Sequence, residues 1–272
     1  MVRQERVIVA IGGGLSFIPC REPETLAIDR MIYKLGARRN GGEVPRVLFI
    51  PTASDDDILY CHGTYVNYHL RLGAEFDHLR ILAESLSDKQ IRDKIAWADI
   101  IYVGGGNTLR MMSAWRKRGV DELLKEAYDE CKVLCGISAG ASCWFDWGLS
   151  DSHRYTNPKG WKPIRVRGLG LIPCGFCPHF DSEASWCHSA FDLALEKTRG
   201  SGVAVEDNCA FELLGERFRF LESQPSKCGS VFKWLPTSQT VARHPFLFGR
   251  RNFTPPLALA SCPLEFPPLL VE

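Results

Sequence analysis

The chain has 272 residues, of which 45% are hydrophobic and 24% charged. That suits a soluble protein of one large or two modest domains, whose core needs no disulfide or metal clip. With 33 Lys+Arg against 32 Asp+Glu the net charge is +1, which argues against a nucleic-acid footprint and a polybasic membrane surface. No apolar run approaches the roughly 18 residues of a transmembrane helix. The start lacks the long apolar region and small-residue cleavage site of a signal peptide. A cytoplasmic protein is expected, with no nucleic-acid or membrane partner and a homodimer left open.

Eleven scattered cysteines read as reduced core thiols rather than a disulfide framework. Cys174-Gly-Phe-Cys177 has no second pair to complete a zinc site. It also lacks the strand-then-helix setting of a redox pair. It reads as structural, and no metal or cofactor is expected.

In chain order, Val7–Ile11 is an unbroken apolar run closed by three glycines. Such runs mark strands buried on both faces. Glu24–Leu35 comes next, with helical spacing at Leu26, Ile28, Met31 and Ile32. Val47–Ile50, Ile100–Val103 and Val133–Cys135 repeat the strand pattern, closed by Pro51-Thr-Ala-Ser54, Gly104-Gly-Gly106 and Gly136. Asp121–Cys131 and Ala184–Arg199 are helical; Gly200 succeeds basic residues at the end of the latter, a stop signal. Strands alternating with helices predict an α/β fold, a mostly parallel sheet between helical layers. In such folds the ligand site lies at the carboxyl ends of the strands. From residue 236 prolines become frequent and periodicity disappears. Residues 1–235 are therefore expected to form the catalytic domain and 236–272 an irregular tail without catalytic groups.

Gly136-Ile-Ser138-Ala-Gly140 matches G-x-S-x-G directly after a strand and before a helix start, the setting of a nucleophile elbow. Ser138 would be the nucleophile, with the N–H of Ala139 aimed at an oxyanion. Among seven histidines, His179 in Cys177-Pro-His-Phe-Asp181 is the candidate base, held rigidly after a strand end and Pro178. The orienting carboxylate is Glu206, at the end of Gly202–Val205, or Asp151, after the elbow helix. Asp207 and Asp181 read as solvated or capping residues. The Gly104-Gly105-Gly106-Asn107 turn offers backbone N–H groups to an anion, and its role would be the second oxyanion donor and substrate contact. Nucleotide binding is disfavoured, because neither glycine run completes G-x-G-x-x-G or continues into Gly-Lys-Ser/Thr.

Tyr102-Val-Gly-Gly-Gly-Asn-Thr108, Gly136-Ile-Ser-Ala-Gly-Ala141 and Pro178-His-Phe180, in that order, resemble the S51 serine peptidases. That family includes dipeptidase E (α-aspartyl dipeptidase) and the cyanophycinase relatives. Ala10–Gly14, Phe49–Ala53 and Val205-Glu-Asp-Asn208 fit as well, and the similarity spans about residues 5–235. The resemblance implies a three-layer α/β/α fold like the class I glutamine amidotransferases, with Ser in place of Cys. It implies Ser138 as nucleophile, His179 as base, Glu206 as third member, and Asp151 near an aspartate assigned that role in the family. The oxyanion hole would be Ala139 with Gly105 or Gly106. Hydrolysis of short peptides, dipeptides with N-terminal Asp in particular, is then expected. A β-aspartyl-arginine exopeptidase and a non-catalytic binding protein of the same fold are the alternatives. Arg154–Arg167 matches no motif of the family and is a candidate to shape the substrate pocket. An aspartyl preference needs an Arg or Lys for the substrate carboxylate, and Arg154, Arg165 and Arg167 are weighed for that role against a solvated face, the reading preferred for each.

Overall fold

The computed structural model describes residues 5–17, 21–181, 184–225, 229–235 and 240–246. In chain order the elements are β1 (Val7–Ile11), α1 (Leu26–Arg39), β2 (Arg46–Ile50), α2 (Ile58–Tyr65), β3 (Glu75–His78), α3 (Asp88–Trp97), β4 (Ile100–Val103), α4 (Thr108–Arg118), α5 (Val120–Asp129), β5 (Val133–Ile137) and α6 (Ala139–Ser142). They continue with β6 (Phe145–Ser150), β7 (Ile164–Arg167), β8 (Ile172–Cys177), α7 (Ala184–Thr198), β9 (Ser201–Val205), β10 (Cys209–Leu214), β11 (Arg217–Glu222), β12 (Gly229–Leu235) and β13 (Thr240–Phe246).

The four apolar runs found in the sequence form the heart of a seven-stranded sheet, ordered β11-β10-β1-β5-β4-β2-β3. β1, β5, β4, β2 and β3 run parallel, while β10 and β11 close one edge antiparallel. The runs are continuous because both faces are covered, and their alternation divides them. Val9, Ile11, Phe49, Tyr102 and Cys135 face one way, onto Ile28 and Ile32 of α1. Ile8, Leu48, Ile50, Ile101, Val103 and Leu134 face the other, onto Ile91 of α3, Met111 and Trp115 of α4, and Leu124 of α5. That is the α/β/α layering expected from the sequence.

The single sheet read from the sequence is joined by a second, ordered β13-β12-β9-β8-β6-β7. Its central strands β6, β8 and β9 are parallel, and Phe191 and Leu195 of α7 pack on it with Leu149, Ala204 and Phe232. β8 carries the C-x-x-C, and Cys174 and Cys177 are both buried. No cluster of metal-ligating side chains occurs among the described residues, and none of the described helices is long and apolar enough to cross a membrane.

The tail expectation needs correction at residues 240–246. These form β13, paired antiparallel with β12 from Leu235↔Thr240 to Gly229↔Phe246. The strand was hidden by its proline. Pro245 has no N–H to give a ladder, but β13 lies at the sheet edge and needs partners on one side only. Residues 236–239 and 247–272 lie outside the described residues.

Candidate active site

The loops after β1, β4, β5, β8 and β9 meet at one end of the two sheets. Ser138 follows β5 with φ 55° and ψ −113°, a conformation costly for a residue with a side chain and common at functional turns. Its N–H donates to the Ile11 carbonyl (3.0 Å), and its own carbonyl accepts the N–H groups of Ala141 and Ser142, each at 3.0 Å. The flanking glycines are explained by crowding. A β-carbon on Gly136 would strike the Gly140 carbonyl, and one on Gly140 would strike that of Val103.

His179 follows β8, also at positive φ (52°). Its N–H donates to Gly12 O (3.2 Å), the carbonyl next to the one that holds Ser138. The imidazole Nε2 lies 2.8 Å from Ser138 Oγ. Nδ1 lies 2.6 Å from Asp207 Oδ1. A carboxylate only accepts, so Nδ1 carries the ring proton and Nε2 is left to accept from the serine hydroxyl. The His179 and Asp207 side chains are 28% and 23% exposed, sheltered yet open to a substrate.

The carboxylate on His179 is therefore that of Asp207, and the expectation of Glu206 or Asp151 is corrected. β9 ends at Val205, and Asp207 bridges to Gly13 while Asn208 N–H donates to Gly13 O (3.0 Å). This pairing turns the side chain at 207 toward the imidazole. Asp181, read from sequence as solvated or capping, accepts the Asp207 N–H (2.8 Å) and so fixes that turn. Asp151 stands elsewhere in the cleft, 3.5 Å from Arg154.

The cleft beside Ser138 measures about 170 Å³ and its lining includes Gly106, Ala139, Asp151, Arg154, Tyr155 and Trp186. The N–H groups of Gly106 and Ala139 donate to no protein acceptor among the described residues. Both residues line the cleft beside Ser138. Gly105 differs: its N–H donates to Tyr60 Oη (3.2 Å). Of the two glycines offered by the sequence, Gly106 fits an oxyanion donor and Gly105 does not. Asn107, expected at the substrate, instead caps α4. Its side chain accepts from Arg110 N–H (3.0 Å) and donates to Ser152 O (3.4 Å). Sequence reasoning missed Asp207, Asp181 and Tyr60, and it weighed Arg154 for the substrate carboxylate but preferred a solvated face. A usable signal was the acidic pair Glu206-Asp207 directly after a buried strand.

The three-layer α/β/α fold, of the class I glutamine amidotransferase-like kind, brings Ser138, His179 and Asp207 together at its strand ends. Comparison with known proteins narrows the class. The model of peptidase family S51 matches residues 8–221, and the chain belongs to that family. It is 33% identical over 213 residues to an uncharacterized peptidase, YgaJ, of Bacillus subtilis, covering 78% of this chain and 85% of the relative. It is 26% identical over 157 residues to a Peptidase E of Haemophilus influenzae, covering 52% and 65%. Among solved structures, a peptidase from an acI-B1 Actinobacterium superposes with a TM-score of 0.68 at 19% identity, over 90% of this chain and 98% of that one. That likeness concerns the fold.

Proposed function

We propose that the protein is a serine exopeptidase that cleaves short peptides, dipeptides with N-terminal Asp in particular, through an acyl-enzyme. The carrying observation is the line Ser138 Oγ to His179 Nε2 (2.8 Å) and Nδ1 to Asp207 (2.6 Å). His179 takes the hydroxyl proton as Ser138 attacks the peptide carbonyl, and the Gly106 and Ala139 N–H groups take the oxyanion. His179 then passes the proton to the leaving amine. Water, activated by the same imidazole, releases the acyl group and restores the serine.

Two features of the cleft support the substrate. Its volume of about 170 Å³ lies below the usual range of pockets for drug-sized ligands, which favours a short substrate over a long chain. Its wall carries one acidic and one basic side chain, Asp151 and Arg154, 3.5 Å apart. An N-terminal aspartyl residue presents the complement, an ammonium for Asp151 and a β-carboxylate for the Arg154 guanidinium.

The test is a panel of Asp-X, Ala-X and β-Asp-Arg dipeptides on wild type and Ser138→Ala. Asp-X turnover in wild type, reduced by several orders of magnitude in the variant, is the expected result. Turnover that survives in the variant would sink the mechanism, and preference for β-Asp-Arg would replace the substrate.

A further inference from the structure

We infer that Tyr60 is a positioning residue for the oxyanion loop: its hydroxyl holds the Gly105 amide and so leaves the Gly106 N–H turned toward the cleft. This rests on the serine peptidase reading above.

The backbone donors of the loop after β4 have separate destinations. Gly104 N–H donates to Ile50 O (3.0 Å) at the end of β2, and Asn107 N–H to Ala53 O (2.7 Å) in the turn that follows it. Gly105 N–H donates to Tyr60 Oη (3.2 Å). Gly106 alone in this run has no protein acceptor among the described residues, and it lines the cleft with Ser138. Its φ of +138° is open to glycine and disfavoured for other residues. Such a peptide is free to turn unless its neighbours are tied. A β-carbon on Gly105 would lie 3.4 Å from the Ser138 side chain, so the tied amide and the nucleophile are adjacent.

Tyr60 is itself well fixed. It lies in α2, whose start is capped by Asp57 accepting from the Tyr60 N–H (2.8 Å). Its ring packs edge-on against Phe49 of β2, with centroids 5.0 Å apart. Its hydroxyl accepts the Gly105 N–H at the inner end of the ring. Burial raises the phenol pKa above its ordinary value, so the hydroxyl stays neutral at physiological pH. A fixed acceptor pre-orients a donor loop, and preorganised donors stabilise a developing oxyanion without reorganising in the reaction.

Tyr60→Phe removes the acceptor and keeps the ring. In a variant with wild-type melting temperature, kcat should fall about tenfold or more while KM moves less than about threefold. Affinity for a peptide boronate, which forms a tetrahedral adduct on the serine, should fall in step with kcat/KM. The midpoint of the pH–rate profile should stay, since His179 is untouched. Gly105 should lose amide-exchange protection while Gly104 and Asn107 keep theirs. A folded variant with kcat within about twofold of wild type, or one whose boronate affinity does not follow its activity, would overturn the inference. If Tyr60→Phe does not fold, the wild-type Gly105 amide is read directly: exchange protection matching that of Gly104 supports the inference, and an unprotected Gly105 amide overturns it. Activity abolished by Ser138→Ala but untouched by Tyr60→Phe defeats this inference and leaves the peptidase reading intact. Activity that persists in Ser138→Ala defeats the reading beneath both.

Discussion

Gly13 lies so close to Asp207 that a β-carbon at position 13 would overlap the carboxylate oxygen and the His179 ring bonded to it. The glycine run after β1 thus serves the site by approach rather than by binding an anion. Ile11, Gly12 and Gly13 offer successive carbonyls to the backbones of Ser138, His179 and Asn208. Three distant stretches are registered against one strand end, and the flat face of Gly13 lets the acid and the imidazole close over it.

Gly13→Ala should therefore fold and turn over slowly. The added methyl must displace either the Asp207 carboxylate or the imidazole, and a displacement of about 1 Å at a catalytic group costs about a hundredfold in kcat. Steady-state kinetics beside circular dichroism and a melting curve would check it. A variant with wild-type kcat would show that the Asp207–His179 contact is dispensable.

The assignment of the third member is open to a paired test. Asp207→Asn should lower kcat by about 10⁴, as expected when the imidazole loses the acceptor that fixes its tautomer. Glu206→Gln should leave kcat within a few fold. The reverse ranking would return the role to Glu206.

The sequence made the scaffold of the site legible and left its last contact hidden. Ser138 was readable because an elbow needs glycines on both sides and a strand before it, all local features. His179 was readable because Cys177-Pro178 ends a strand and restrains the residue after it. The choice between Glu206 and Asp207 depends on where β9 stops pairing and on the bridge to Gly13, a contact nearly 200 residues away in the chain. A shift of one residue turns a side chain to the opposite face, and no local pattern fixes that. The same limit hid β13, because an edge strand can carry a proline that forbids a central one. Arg154 looked solvated, and its side chain is indeed 57% exposed. It nevertheless lines the same cleft as Ser138, a neighbourhood that no local pattern in the sequence reveals.

Arg154→Gln should separate acidic from neutral substrates. If the guanidinium pairs the β-carboxylate of an N-terminal aspartate, kcat/KM for Asp-X should fall about 10- to 100-fold, the worth of a charge-assisted hydrogen bond in a partly open cleft. Turnover of Ala-X should change little. Asp151 loses its ion-pair partner in this variant, so high-salt controls should accompany the measurement. Equal losses on both substrates would remove Arg154 from specificity.

Away from the cleft, Asp29 gives the fold a pH dependence of its own. It is fully buried in α1 and accepts hydrogen bonds from Thr25 Oγ1 (2.9 Å), Asn67 Nδ2 (2.9 Å) and Tyr68 Oη (3.0 Å). Burial nevertheless dominates these bonds and raises its pKa to about 6. In the unfolded chain an aspartate titrates near 3.9. Below about pH 4 it is protonated in both states and contributes no pH dependence. Between about 4 and 6 the folded state keeps a proton that the unfolded state has released, so stability falls as pH rises. Above about 6 the full cost of burying the charge is present, roughly 2–3 kcal/mol. Asp29→Asn carries no titrating group, so its stability relative to wild type should improve by about that amount from pH 4 to pH 7. Urea unfolding of both proteins across this range, compared as a difference to cancel the other titrating groups, would measure it. A difference that stays level with pH would mean that the three hydrogen bonds hold Asp29 at an ordinary carboxylate pKa.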